Sequence, residues 1–130
     1  MEIRENRVVI LGAGIGAMAM GFENASCKVV AAYEHDERAR ELYENNAKDK
    51  TYKIGELDYN NFEEIPDMDI LACDFRRGFS FTSAGMGKTY HFRNAVKAVV
   101  KFKQPKKVFF LVPCGYARLK PFKALLDYLK

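Results

Sequence analysis

An α/β fold, a parallel sheet covered by helices on both faces, is predicted by three features of this 130-residue sequence. Short apolar, β-branched runs alternate with segments of helical periodicity along the whole chain. A parallel sheet needs such a helix to carry the chain back between neighbouring strands. The first apolar run ends in a cluster of glycines, which marks a tight strand-to-helix turn. Right-handed crossovers then restrict the strand order, most simply to 3-2-1-4-5, a Rossmann-like three-layer sandwich.

The elements follow in order. Residues 7–11, Arg-Val-Val-Ile-Leu, read as a buried strand, and 17–24 as the helix behind the glycine turn. Residues 28–33 are a second buried strand with Glu34 at its end. Residues 36–46 are helical, with Ala39, Leu42 and Tyr43 at helical spacing. Residues 52–54 form a brief third strand and 68–73 a fourth. A glycine- and serine-containing loop is expected over 75–89, then a helix over 92–102 with Val96, Val99 and Val100 inward. Residues 107–112 are the fifth strand, broken by Pro113 and Gly115, and 121–129 the closing helix. No repeat, low-complexity tract or linker interrupts this order, so residues 1–130 are read as one domain.

Composition narrows the function classes. The chain is 48% hydrophobic and 29% charged, which is globular rather than disordered. No apolar run approaches the roughly 20 residues that a membrane span requires, and the polar start does not read as a secretory signal. Cys27, Cys73 and Cys114 are widely spaced and odd in number. They suggest reduced thiols in a cytoplasmic protein and argue against a disulfide frame; with His35 and His91 they form no metal-ligand cluster. The net charge of +4 conceals an asymmetry: residues 1–75 hold 8 Lys and Arg against 16 Asp and Glu, residues 76–130 hold 13 against 1. A basic half of this kind suits a polyanion such as DNA, although a solvated lysine face reads the same way.

The chemistry-bearing signal is Gly12-Ala13-Gly14-Ile15-Gly16, between a strand and a helix. Glycines let the backbone turn sharply and approach a ligand, and the helix amino end favours a negative group. Some twenty residues later Glu34 ends the second strand, where a carboxylate can accept hydrogen bonds from both ribose hydroxyls. Glu56 follows the third strand, within reach of an adenine edge. Together these point to a nucleoside-containing ligand. The competing reading is close strand–helix packing, with Glu34 a solvated helix-cap acid.

Longer motifs make the signal specific. Residues 9–23, Val-Ile-Leu-Gly-Ala-Gly-Ile-Gly-Ala-Met-Ala-Met-Gly-Phe-Glu, resemble the first motif of DNA cytosine-5 methyltransferases, with Gly12 where that family usually has Phe. Residues 29–45 resemble its second motif: a valine strand, Glu-x-Asp, and an Ala-x-x-x-Tyr-x-x-Asn helix. Gly55-Glu56-Leu57 stands where the family has Gly-Asp-Ile. Asp69-Ile70-Leu71, Phe79-Ser80, Ala84-Gly85 and 104–111 continue the likeness in order. The resemblance implies the amino-terminal, cofactor-binding part of such an enzyme, shortened relative to full class I methyltransferases. It implies S-adenosylmethionine or S-adenosylhomocysteine as the ligand. Gly12, Ala13, Gly14, Ile15 and Gly16 would bound the methionine end, Glu34 and His35 the ribose, and Glu56 and Leu57 the adenine.

The same comparison implies that the chemical half is replaced. The family's Pro-Cys-Gln-Pro-Phe-Ser is here Arg76-Arg77-Gly78-Phe79-Ser80, one residue shorter, with Arg77 at the nucleophile position. The reaction needs a thiolate that adds to the cytosine ring, and an always-protonated guanidinium cannot serve. The family's Glu-Asn-Val is here Val112-Pro113-Cys114, so the glutamate that would hold the flipped base is missing too. Cys73, at the end of the fourth strand, is the candidate substitute nucleophile; as a small buried thiol it would merely pack. The expectation is a truncated, inactive relative or one part of a split enzyme.

Other readings stay open at this level. Arg76, Arg77, Lys88 and Arg93 are candidate nucleic-acid contacts, with Asp74 a competing partner for the arginine pair. Ser83-Ala84-Gly85-Met86-Gly87-Lys88-Thr89 imitates a phosphate-binding loop but has Thr82 where the first glycine belongs. Gly12-x-Gly14-x-x-Ala17 with Glu34 also fits a NAD-binding Rossmann domain. A non-catalytic nucleic-acid or protein interaction module is the further alternative. An open fifth-strand edge could recruit a second copy or a partner subunit, since unpaired edges seek partners.

Overall fold

The computed structural model describes residues 4–58, 60–75, 83–112 and 114–130, with backbone alone at 83–91, 114 and 116. Its centre is a five-stranded sheet in the order β3-β2-β1-β4-β5, every pairing parallel. This is the expected topology.

β1 (Arg7–Leu11), α1 (Ala17–Asn24) and β2 (Lys28–Tyr33) lie where the sequence places them. α2 (Glu37–Asn46) begins one residue later than expected, because Asp36 is its cap: Oδ1 accepts from the Arg38 and Ala39 amides at 2.9 and 3.2 Å. β3 (Lys53–Gly55) is displaced by one residue from the expected 52–54, since its register is set by pairing with Ala31, Ala32 and Tyr33. A 3-10 turn (Phe62–Glu64) that periodicity did not disclose leads into β4 (Ile70–Asp74). The expected start of β4 at 68 is corrected. Asp69 is held outside the strand, its Oδ2 accepting from the Arg7 amide at 2.9 Å while its own amide donates to the Arg7 carbonyl at 2.9 Å.

The largest correction concerns α3 (Ser83–Lys103), expected to start near residue 92. The stretch 83–89, read as a loop on its glycines and serine, is helical. Each glycine costs a helix interior up to about 1 kcal/mol relative to alanine. Ala84, Met86 and Lys88 are good helix formers, and the helix carries a long buried stripe further on at Ala95, Val96 and Val99. A phosphate-binding loop requires an irregular turn where this chain has helix. β5 (Lys107–Leu111) stops one residue short of the expected 112. α4 (Cys114–Ala117) is a single turn that sequence reading missed, and α5 (Lys120–Leu129) closes the chain with Pro121 in its first turn, where no amide donor is needed.

The two sheet faces bury separate cores. On one, Val8, Ile10, Val29, Ala32 and Ala72 pack with Ala19 of α1 and Tyr43 of α2. On the other, Val9, Leu11, Ala31, Tyr33, Leu71 and Cys73 pack with Val96 and Val99 of α3 and Phe122 and Leu125 of α5. Phe75, wholly buried, anchors the second core: its ring meets those of Phe92, Phe110 and Phe122 edge-on at 4.7, 5.6 and 5.9 Å. Both layers leave the carboxyl ends of β1, β2 and β3 together at one rim, which is where ligands bind in open parallel sheets.

Candidate functional site

The glycine turn is built by its neighbours. The Gly12 and Ala13 amides both donate to the Tyr33 carbonyl at 2.9 Å, so the end of β1 is tied to the end of β2. Gly12, Gly14 and Gly16 have φ of 75°, 61° and 103°, a region that costs an L side chain about 1–2 kcal/mol. At Gly12 there is a second reason. A Cβ there would lie 2.7 Å from the Asp74 carbonyl oxygen and 3.6 Å from Cζ of Phe92. The departure from the motif, glycine where phenylalanine is usual, therefore matches the local space: β4 crowds the position from one side and α3 from the other.

Glu34 connects the turn to the rim. It is 2% exposed. Its Oε1 accepts from the Gly14 amide at 2.8 Å and its Oε2 from the Asp36 amide at 3.0 Å. The Nδ1 of His35 lies 3.1 Å from the same Oε2, with the imidazole mostly exposed. Arg40 donates to the Glu34 and His35 carbonyls at 2.7 and 3.2 Å, and the Glu34 amide to the Gly55 carbonyl at 2.9 Å. Backbone on three sides thus fixes this carboxylate, and it in turn fixes the glycine turn and the α2 cap. The solvated-cap reading of Glu34 is incompatible with that burial.

An open cleft of about 370 Å³ lies at this rim, lined by Leu11, Gly12, Tyr33, Glu34, His35, Glu56, Leu57 and Phe92. Five of these, Gly12, Glu34, His35, Glu56 and Leu57, are sequence-predicted site residues. Ala13, Gly14, Ile15 and Gly16 do not line it. Gly14 acts through Glu34, Ile15 is exposed, and Gly16 faces the Tyr43 ring at 3.4 Å on the other side of the sheet. Leu11, Tyr33 and Phe92 went unpredicted. Only packing brings them in, Phe92 from a helix whose start the sequence obscured. Gly16 caps α1 without a side-chain acceptor, which leaves the first-turn amides of that helix facing the turn.

The remaining candidates are dispersed. Arg76 and Arg77 lie outside the described residues, as does the side chain of Lys88. Arg93 is half-buried on α3. Val112 is half-buried and packs against the second core. Cys73 is wholly buried in that core, and burial pushes its thiol well above the ordinary range. It carries no thiolate at neutral pH and does not reach the cleft.

Residues 7–110 match the family model of C-5 cytosine-specific DNA methylases. The type II methyltransferase M.HaeII of Haemophilus aegyptius is 34% identical over 110 residues, 80% of this chain and 33% of that protein. M.HhaI of Haemophilus parahaemolyticus is 32% identical over 111 residues, 79% of this chain and 32% of that protein. The chain thus spans about a third of the length of the curated relatives it matches. Among solved structures, the Dnmt2 methyltransferase of S. pombe superposes with a TM-score of 0.61 at 16% identity, over 96% of this chain and 39% of that chain. A protein described as a class I S-adenosylmethionine-dependent methyltransferase from Listeria monocytogenes gives 0.67 at 12% identity, over 99% and 46%. At these identities the structures establish the fold alone. The comparisons lend the nicotinamide-cofactor and interaction-module alternatives no support.

Proposed function

Since this chain belongs to the C-5 cytosine-specific DNA methylase family, we propose that it is a cofactor-binding methyltransferase domain that does not methylate cytosine on its own. The cofactor is S-adenosylmethionine, with S-adenosylhomocysteine as the spent form. The observation that carries the reading is the buried Glu34 carboxylate at the cleft, fixed by the Gly14 and Asp36 amides.

The residues present fit this ligand. A fixed carboxylate at the end of β2 suits the paired hydroxyls of a ribose. Leu57 and Phe92 give the cleft an apolar wall for the purine, and Glu56 an acceptor at its edge. The uncapped amino end of α1, behind the glycine turn, favours the carboxylate of the amino-acid tail. When bound, the cofactor supplies an electrophilic methyl group; the chain's own part is to bind and orient it.

The second half of the proposal rests on what stands at the chemical positions. Arg77 and Val112 replace the thiol and the carboxylate that the family's motifs place there. Cys73 is sequestered in the core. DNA remains the proposed polyanion partner, through the basic second half.

Calorimetric titration with S-adenosylhomocysteine, S-adenosylmethionine and NAD tests the first claim: the two adenosyl ligands bind and NAD does not. Binding of NAD alone would overturn it. Transfer of labelled methyl from cofactor to DNA, abolished by Cys73→Ala, would overturn the second.

A further inference from the structure

Tyr33 lines the cleft and is 3% exposed, yet its hydroxyl oxygen is buried with no hydrogen-bond partner. Buried hydroxyls are nearly always paired, because leaving one unpaired costs about 1–3 kcal/mol. The groups around the ring do not relieve it. Lys53 Nζ stands 5.8 Å from the ring centroid, a cation over the face and not a hydrogen bond to the oxygen. That ammonium also lies 3.9 Å from the Glu64 carboxylate. Burial and the Glu64 charge hold the phenol above its ordinary range, so it is a neutral donor at any physiological pH.

The backbone of the same residue is fully engaged. Its carbonyl takes the Gly12 and Ala13 amides, and the next residue is the Glu34 carboxylate. The side chain is thus held rigidly at the rim with an unused donor, next to the group assigned to the ribose. We propose that the Tyr33 hydroxyl is a recognition contact for the bound nucleoside, hydrogen-bonding the purine of the adenosyl ligand held between Leu57 and Phe92. This rests on the cofactor reading above and deepens it: a hydroxyl in place of water gives the cleft selectivity for the base itself. A hydroxyl left unpaired in the empty protein and paired in the complex contributes to affinity without contributing to folding.

Tyr33→Phe tests this cleanly, because it removes the unpaired oxygen and keeps the ring. The variant melts at the same temperature as the parent or higher. Its affinity for S-adenosylhomocysteine falls by about three- to tenfold, the worth of one neutral hydrogen bond, and its affinity for adenosine falls equally. A lower melting temperature without ligand would show that the hydroxyl has an internal partner and overturn the proposal. So would unchanged affinity, the result expected if a water fills the site, or a loss confined to S-adenosylhomocysteine, which would put the contact at the amino-acid tail. Failure of the parent protein to bind either ligand would instead overturn the cofactor reading, and this inference with it.

Discussion

Glu34 has two jobs in one carboxylate. It braces the glycine turn through the Gly14 amide and faces the cleft. Glu34→Gln keeps the shape but removes the charge and turns one acceptor into a donor facing backbone amides. S-adenosylhomocysteine affinity should fall by at least about tenfold, since a hydrogen bond to a charged group is worth roughly 1.5–3 kcal/mol. Calorimetry that finds a smaller loss would move the ribose away from Glu34. Gly12→Ala separates backbone from ligand effects: positive φ and the Asp74 carbonyl 2.7 Å from the new Cβ predict a loss of about 2 kcal/mol or more in denaturant unfolding. These two residues were legible from the sequence because the signal is local: glycines at a strand end, and an acid at the next strand end. Tyr33 and Phe92 were not. One reads as the last apolar residue of a buried strand and the other as one phenylalanine among several. Only the close approach of α3 to Gly12 makes Phe92 a wall of the cleft.

Elements with a single period were read correctly, and those with mixed signals were not. β1, α1 and β2 have apolar runs bounded by glycine or polar residues, so their limits fall where pattern changes. α3 begins in residues whose glycines mimic a loop, and the helix was visible only from its valine stripe onward. β4 was started early because Met68 and Asp69 look like strand, whereas Asp69 serves as a clamp at the amino end of the sheet. Its carboxylate takes the Arg7 amide at 2.9 Å, with Lys106 at 3.5 Å and Arg4 at 3.7 Å. The Arg7 amide first, then these cations, hold its carboxyl below the usual carboxylate range. A depressed value in the folded chain means that the charged form stabilises the fold above the unfolded value, near 4. That contribution is lost as pH falls through the folded value. Asp69→Asn should therefore unfold more easily than the parent at neutral pH, with the gap narrowing below about pH 4. Urea melts across pH check this; a gap independent of pH would assign Asp69 a packing role only.

At the scale of the whole molecule, the acidic and basic halves of the sequence correspond to the two sides of the sheet order. β3, β2 and β1 with α1 and α2 come from the acidic part, and β5 with α5 from the basic part. Lys101, Lys107, Arg118, Lys120 and Lys123 are exposed, whereas Lys103 and Lys106 reach Asp67 and Asp69 at 3.4 and 3.5 Å. Charge asymmetry was legible by counting, but counting does not separate a solvated face from a polyanion contact. The fold adds a direction. α5 follows β5 from its carboxyl end, so Lys120 and Lys123 begin that helix at the same rim of the sheet as the cleft. A nucleic acid approaching a cofactor held there would meet these residues first. If DNA is the partner, each phosphate neutralised releases counterions, and the logarithm of affinity falls with the logarithm of salt at about 0.9 per contact. Lys120→Glu with Lys123→Glu should lower that slope for duplex DNA by about 2 and weaken binding across unrelated sequences alike, because phosphate contacts carry no base information. Cofactor affinity serves as the control, since neither lysine lines the cleft. Fluorescence anisotropy over a salt series measures both quantities, and an unchanged slope would return the basic half to the status of a solvated surface.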